Sequence, residues 1–368
     1  LLVGVSVRML AQSCSRAGID ALALDWFADT DTIACSQACA AIAAADRPDF
    51  DAQRLFAASE RLAPSGSGTA LVTAGGFDSR PELLEALIVG RSLYGNAPDT
   101  LRRIKTPGHF FGLLDELGIP YPATQLDTAT TAPGPGRWLI KHRASEGGIG
   151  VQFFTPARAI PPDCYLQQHL DAPAHSLLFL ANGTDIAPVG FNRLLTAGHR
   201  RDRPMLFGGA LTPTTLPPAQ RRAVCRYARD LTRALGLVGL NSLDFIHHGG
   251  QCHVLELNPR PSATLCLHDP NYRQGLLAAH LDACRGSLAA ASVTHAPPRG
   301  FRVVYAERQG RVPPGINWPD WAADRPSPGT VLSVGDPLCS VSASAASLPV
   351  LERRLFTRER LIRAALML

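Results

Sequence analysis

The sequence predicts an α/β protein in successive parts: an N-terminal parallel α/β domain, an α+β unit of two subdomains, and a small C-terminal β-rich module. Three observations carry this reading. Strands, glycine turns and helices alternate through the N-terminal part, hairpin-type strands fill the middle, and short strands separated by proline turns occupy the end. Alternation of strand and helix implies a parallel sheet, with any ligand near the carboxyl ends of its strands.

Residues 1–5 form a buried-strand pattern, and residues 6–17 make an amphipathic helix that Gly18 ends. ALALDWF reads as a second strand. In TALVTAGGF the arrangement repeats, with a strand over 70–73, a turn at Gly75 and Gly76, and a helix from Pro81 to about Val89. Two helices follow, the first starting at Asp99 and the second at Thr106-Pro107, and Gly118 stops the second. A linker, TATTAPGPG, leads into the strand RWLIKHR, the loop SEGGIG, and the strands VQFF and CYLQQHL. Residues 176–181 and 186–195 read as strands of a second sheet, and 217–235 as a long helix with apolar positions at helical spacing. SLDFIHH and CHVLELN are strands joined by Gly249-Gly250, a strong hairpin signal. The tail from Phe301 carries short strands and proline turns and closes on a basic helix.

Composition narrows the function. At 368 residues the chain is long enough for two or three domains with a site between them, and 46% apolar with 18% charged residues is ordinary globular composition. The net charge of +5 is small, and no long basic tract with interleaved aromatics occurs, so nucleic acid is a poor partner. Within the most basic stretch, residues 199–204 (HRRDRP), a solvated turn or a small anion site is expected. Nine cysteines without a CxxC pair indicate neither a disulfide framework nor zinc, and fit a reducing cytoplasm. Arg8 interrupts the first apolar run, which therefore reads as strand, turn and helix in preference to a leader, and no stretch is apolar for long enough to span a bilayer.

Three features carry chemistry. On a strand Glu256 and Asn258 point to one side while Leu255 and Leu257 are expected in the core, and Asp244 on the facing strand joins the first two. Two carboxylates and an amide oxygen suit magnesium, a hard cation that keeps some of its waters. The second feature is Lys141 at the end of an apolar strand, followed by a loop of Glu146, Gly147, Gly148 and Gly150 whose backbone N–H groups can approach phosphate oxygens. Neither GxxxxGK nor a GxGxxG after a first strand is present. The third is Lys105 near a helix start, a point charge suited to phosphate. Taken singly, each has a plain reading as well: a solvated edge with two acids, an ordinary hairpin turn, a surface lysine.

Together they stand in the order found in the ATP-grasp superfamily, and the chain resembles biotin carboxylase-like ligases and the predicted ATP-dependent carboligases of archaea and methylotrophs. LELNPR is similar to that family's Glu-x-Asn-x-Arg segment, which implies metal ligation by Glu256 and Asn258 and a phosphate-side or substrate-side role for Arg260. Asp244 falls at the first metal carboxylate. QQHLDAPAHS lies without a gap on the family's adenine hinge, implying base recognition by Gln167 in place of the usual glutamate, backbone contacts at Leu170, and His175 facing the ribose. The plain reading of His175 as a surface histidine stays open beside it.

The resemblance implies four parts. These are an N-terminal pre-ATP-grasp domain over 1–98, a small ATP-grasp subdomain with helical lead-in over 99–170, a large subdomain with the metal site over 171–294, and the β-rich module over 295–368. It further implies ATP and Mg2+, one or two ions with Mn2+ as an alternative, and catalysis through Arg260 and Lys141. The expected activity is a carbon-nitrogen ligase, in the biosynthesis of a one-carbon cofactor among other settings. Its partners would be a small carboxylate and an amine, with neither nucleic acid nor membrane, and it is expected to be cytoplasmic and homodimeric. Arg193, Arg200, Arg201 and Arg203 are candidates for clamping an anionic substrate. Two rivals remain: a carboxylase acting through carboxyphosphate, and a non-catalytic nucleotide-binding protein.

Overall fold

The structure, a computed structural model, describes residues 1–44, 49–127, 134–144, 146–156, 160–198, 203–293 and 296–366. Most of the TATTAPGPG linker lies outside these residues. The N-terminal part is a five-stranded parallel sheet in the order Ala38–Ala41, Leu22–Asp25, Leu2–Gly4, Ala70–Thr73 and Ser92–Leu93. Helix Arg8–Ala17 follows the first strand, and Gly18 ends it in the left-handed region at φ 67°, where the absence of a Cβ makes glycine the favoured residue. Beyond the strand Ala70–Thr73 the chain turns at Gly75 and Gly76; a Cβ on Gly76 would stand 2.7 Å from the Phe50 ring. This turn places the loop 75–80 at the carboxyl end of the sheet, facing the rest of the chain.

Two helices, Pro98–Lys105 and Pro107–Glu116, lead into a four-stranded antiparallel sheet of Thr124–Gln125, Cys164–Gln168, Trp138–His142 and Val151–Phe153. The strand Cys164–Gln168 thus belongs to this sheet and ends at the hinge into the next. The large sheet has eight strands in the order Gln251–Asn258, Val238–His248, Ala174–Asn182, Ile186–Thr196, Phe207–Thr212, Arg299–Tyr305, Pro337–Ser344 and Ala322–Ala323. The C-terminal β strands are therefore built onto the edge of this sheet through Phe207–Thr212, and helix Leu348–Leu366 packs beside them.

The large sheet is buried on both faces, which fixes its register. On one face Val224, Ala228, Leu231 and Leu235, a stripe at helical spacing on helix Pro218–Leu235, meet Leu177, Phe179, Leu243 and Phe245. The other face carries Leu178, Leu180 and Leu240, which pack with Leu10 and Cys14 of the first helix and with Leu276 and Leu277 of helix Gly275–Cys284. The N-terminal domain and the large sheet thus share a core.

The hairpin forms at Gly249 and Gly250, both at positive φ (58° and 79°), as a two-residue turn matched to strand twist requires. Its register contains a bulge the sequence did not signal. Asp244 faces Glu256 and Ser242 faces Asn258, yet Phe245 faces Val254, so Leu255 is an extra residue in its strand. Val254 and Leu257 are fully buried in the core, whereas Leu255 is only half-buried. The expectation that Leu255 enters the core is corrected here: a regular strand would hold Val254 and Glu256 on one face, and the bulge separates them.

Asn96 seats this hairpin. Its amide nitrogen donates to Val238 O (3.2 Å), Asn241 Oδ1 (2.9 Å) and Pro259 O (2.9 Å), and its oxygen accepts from Val238 N (3.0 Å). Asn96→Ala would leave several of these groups buried without partners, so stability should fall by about 2–4 kcal/mol in urea unfolding. A loss below about 1 kcal/mol would show that the hairpin is seated by packing alone.

Candidate functional site

A cleft of about 1020 Å³ runs between the two antiparallel sheets and reaches the N-terminal loops. It is lined by Lys105, Lys141, Glu146, Gly147, Gly148, Gln167, Leu170, Asp244, Glu256, Asn258 and Arg260, along with Gly75, Gly76 and Trp26 of the N-terminal domain. Residues far apart in sequence thus meet in one space.

On the hairpin, Asn258 Nδ2 donates to Glu256 Oε1 (3.2 Å) and to Asp244 Oδ2 (3.4 Å), and Ser242 Oγ donates to Asp244 Oδ1 (3.1 Å). Burial raises the Asp244 carboxyl well above its usual range, and the neighbouring Glu256 raises it further. For Glu256 burial also acts upward, but Lys105 and Lys141 outweigh it and hold the carboxyl below its usual value. Two crowded carboxylates with an amide between them are a donor set for a hard divalent cation, whose charge would relieve their repulsion. Among the described residues no group of three or more His, Cys, Asp or Glu side chains is arranged to hold a metal. An ion here would therefore draw on two carboxylates, the Asn258 amide oxygen, and ligands from outside the chain.

The two lysines come from different elements. Lys105 ends helix Pro98–Lys105, with Nζ 3.4 Å from Asn258 Oδ1 and 3.3 Å from Asp78 Oδ2. Although burial favours the neutral amine, Asp78, Glu256 and Glu146 raise its pKa, so it stays charged. Lys141, on strand Trp138–His142, donates to Gln167 Oε1 at 3.2 Å. Gln167, 1% exposed, in turn donates from Nε2 to Thr124 Oγ1 at 3.0 Å. Each end of the amide that was expected to read a base thus makes one hydrogen bond within the protein, and Gln167 anchors Lys141.

The loop 146–150 is pinned at two points. Phe207 N donates to Gly147 O (3.0 Å), and a Cβ on Gly148 would stand 1.9 Å from Met205 O, so only glycine fits that approach. On the other side Glu146 Oε2 accepts from Gly76 N and from Arg260 Nη2, each at 3.1 Å. Arg260 Nε also donates to Asp78 Oδ2 at 2.9 Å. Burial raises the Asp78 pKa, but Arg260 and Lys105 more than reverse this and keep it ionised. Glu146 is raised by burial first and by Asp78 second.

Other residues singled out in the sequence stand elsewhere. His175 is on the opposite face of its strand: the ring stacks on Phe245 at 5.7 Å and Nδ1 lies 3.3 Å from Thr214 Oγ1. Burial lowers its pKa to about 4, so it is a neutral histidine beside the core and does not point to the place expected for a ribose. Arg193 faces His175 across the strand pair and so shares its side of the sheet; at the rim of the cleft its guanidinium pairs with Glu352. Gly150, at φ 79°, shapes the turn after the loop without lining the cleft. Arg203 lies close enough to Tyr305 to act against the burial that raises the phenol to about 12, and is not among the lining residues. Arg200 and Arg201 lie outside the described residues.

Sequence reading missed Asp78 and Asn96. For Asp78 a signal existed, since GGFDSR is the loop after a parallel strand, where ligand sites of such sheets lie. Asn96 offered none, because its role depends on backbone groups far away in sequence. All nine cysteines are free thiols, and among the described residues no helix is long and apolar enough to cross a membrane.

The arrangement can be set against known proteins. Residues 109–264 match the profile of the ATP-grasp domain. The carbamoyl phosphate synthase large chain of Gemmatimonas aurantiaca is 26% identical over 200 residues, covering 48% of this chain and 18% of that protein. The large chain from Methanospirillum hungatei is 25% identical over 206 residues, 50% of this chain and 19% of the relative. The chain thus spans under a fifth of the length of these curated relatives. Among solved structures, biotin carboxylase from Campylobacter jejuni superposes with a TM-score of 0.73 at 13% identity, covering 96% of this chain and 89% of that one. N5-carboxyaminoimidazole ribonucleotide synthetase from Thermus thermophilus gives 0.71 at 17% identity, over 98% and 97% of the two chains. At these identities the structures speak for the fold: a parallel N-terminal sheet followed by antiparallel ATP-grasp sheets. The chain therefore carries an ATP-grasp domain over residues 109–264, set within the fold shared by biotin carboxylases and N5-carboxyaminoimidazole ribonucleotide synthetases.

Proposed function

We propose that this protein is an ADP-forming ligase that uses Mg-ATP to activate a carboxylate as an acyl phosphate and then couples it to an amine. The observation that carries this reading is the convergence of Lys105, Lys141, Asp244, Glu256 and Asn258 on one cleft between two sheets. Lys105 and Lys141 supply charge for the nucleotide phosphates, and the loop 146–150 covers them and excludes water. Asp244, Glu256 and Asn258 are the residues that would hold magnesium, which when bound neutralises charge on the phosphates. Arg260 is held with its Nη1 making no hydrogen bond among the described residues, so it has a donor left for an anionic acceptor.

In this reading a carboxylate oxygen attacks the γ-phosphorus and ADP leaves. The amine then attacks the acyl carbon, phosphate leaves, and the amine loses a proton. Most of the rate comes from positioning and charge neutralisation. Arg193 and Arg203 keep a candidate role at the acceptor end, and assembly as a homodimer belongs to the same reading. It is supported by the related 2-oxoglutarate carboxylase domain of Hydrogenobacter thermophilus, whose structure is described as a dimer. That same structure holds MgADP and bicarbonate, which favours a second reading: a carboxylase that activates bicarbonate as carboxyphosphate.

Three results test these readings. Glu256→Gln and Asn258→Ala should keep the fold and lose Mg-ATP turnover by at least about a hundredfold, since each removes a hard oxygen donor or its charge; full activity in either at ordinary magnesium would remove the metal assignment. Lys141→Ala should weaken ATP binding about tenfold or more while leaving adenosine binding nearly unchanged, measured by calorimetry, because the lysine meets phosphate charge. Equal losses would mean a structural lysine. The products should be ADP and phosphate, with the true acid trapped by hydroxylamine as a hydroxamate and little stimulation by bicarbonate. Strong bicarbonate stimulation with labelled carbon in a product selects the carboxylase, and AMP with pyrophosphate overturns both.

A further inference from the structure

Asp78 stands just behind the lining of this cleft, between the lining residues Gly76 and Ser79, with a side chain 1% exposed, although it lies outside the ATP-grasp domain and outside the residues assigned so far. One oxygen, Oδ2, receives both Lys105 Nζ (3.3 Å) and Arg260 Nε (2.9 Å). These cations come from different parts of the chain, Lys105 from the end of the helix that enters the ATP-grasp region and Arg260 from the segment after the hairpin. Glu146 holds the same guanidinium from the loop side through Nη2, and also takes Gly76 N–H two residues before Asp78. The remaining oxygens, Asp78 Oδ1 and Glu146 Oε1, are buried without a partner.

We propose that Asp78 is a positioning residue that fixes Lys105 and Arg260 relative to each other, and so places the cation for the γ-phosphate beside the cation for the acceptor. This rests on the ligase reading above, or equally on its carboxylase alternative, because both need phosphoryl transfer between two anions held close together. The physical argument has two parts. A buried carboxylate facing two cations through one oxygen loses charge compensation if either swings away, which in a site removed from water is costly. Bringing two anions into reactive contact also depends on geometry at about the 1 Å scale, where misplacement costs about a hundredfold in rate. The negative charge of Asp78 itself opposes binding of a polyanion. Its function is therefore orientation, and its loss should appear in the transfer step more than in nucleotide affinity.

Two variants separate this from a purely structural or purely electrostatic role. Asp78→Asn keeps the shape and removes the charge; Asp78→Glu keeps the charge and shifts the carboxylate by one methylene. Folding of each is checked by thermal melting, Mg-ATP affinity by calorimetry, and the bound β,γ-imido analogue of ATP by phosphorus NMR. In both variants the γ-phosphate resonance is expected to move while the α-phosphate resonance stays in place, and ADP release from Mg-ATP should fall about ten- to a hundredfold without weaker ATP binding. If a folded Asp78→Glu variant keeps the wild-type γ-phosphate resonance and rate, only charge matters and the positioning role is overturned. Parallel loss of ATP affinity and melting temperature in both variants would assign Asp78 to structure instead. A wild-type protein that binds no Mg-ATP would overturn the ligase reading and this one together, whereas normal γ-phosphate signals in both variants would overturn this one alone.

Discussion

Four ionisable side chains, Asp78, Lys105, Glu146 and Arg260, are packed together where the N-terminal domain, the lead-in helix, the glycine-rich loop and the segment after the hairpin meet. Charges removed from water are stable only when each finds an opposite charge with good hydrogen bonds. Two acids and two bases pair here through one oxygen of each carboxylate, and they do so only if all four segments arrive together. The cluster ties the assembly of the domains to the assembly of the cleft. It also explains why Lys105 can be buried beside the hairpin and remain charged, since Asp78 and Glu256 outweigh the cost of desolvation.

The large sheet supplies the platform for that cluster. Packed by helix Pro218–Leu235 on one side and by the N-terminal domain on the other, it has no freedom to slip in register. Within it the bulge at Leu255 performs a local task. It lets Val254 stay in the core while Glu256 turns toward Asp244, so the strand packs the core at one end and lines the cleft at the other. Asn96 then fixes the base of the hairpin from the N-terminal side.

The glycine-rich loop shows how much backbone freedom the site requires. Gly147 and Gly148 both take positive φ, and the approach of Gly148 to Met205 O leaves no room for a side chain. Close backbone approach is also what exposes N–H groups to an anionic ligand. Glu146 at its start joins this loop to Arg260 and Gly76, so the positions of the loop, the N-terminal turn and the Arg260 guanidinium are tied through one carboxylate.

Local pattern determined a large part of this protein. Alternating strands and helices, the Gly249-Gly250 hairpin, the stripe on helix Pro218–Leu235 and the grouping of Asp244, Glu256 and Asn258 were all legible, because each depends on periodicity or on turn chemistry within a short window. What escaped depended on contacts between distant segments. The face of His175 followed from the register of three strands, the bulge at Leu255 from the competition of Val254 and Leu257 for the core, and the contacts of Gln167 from Lys141 and Thr124 arriving on either side of it. Asp78 could be seen as an acid in a promising loop, but a carboxylate acquires its role from the charges that surround it. Lys105 and Arg260 stand 27 and 182 positions further along the chain, and only the folded arrangement brings them to the same oxygen.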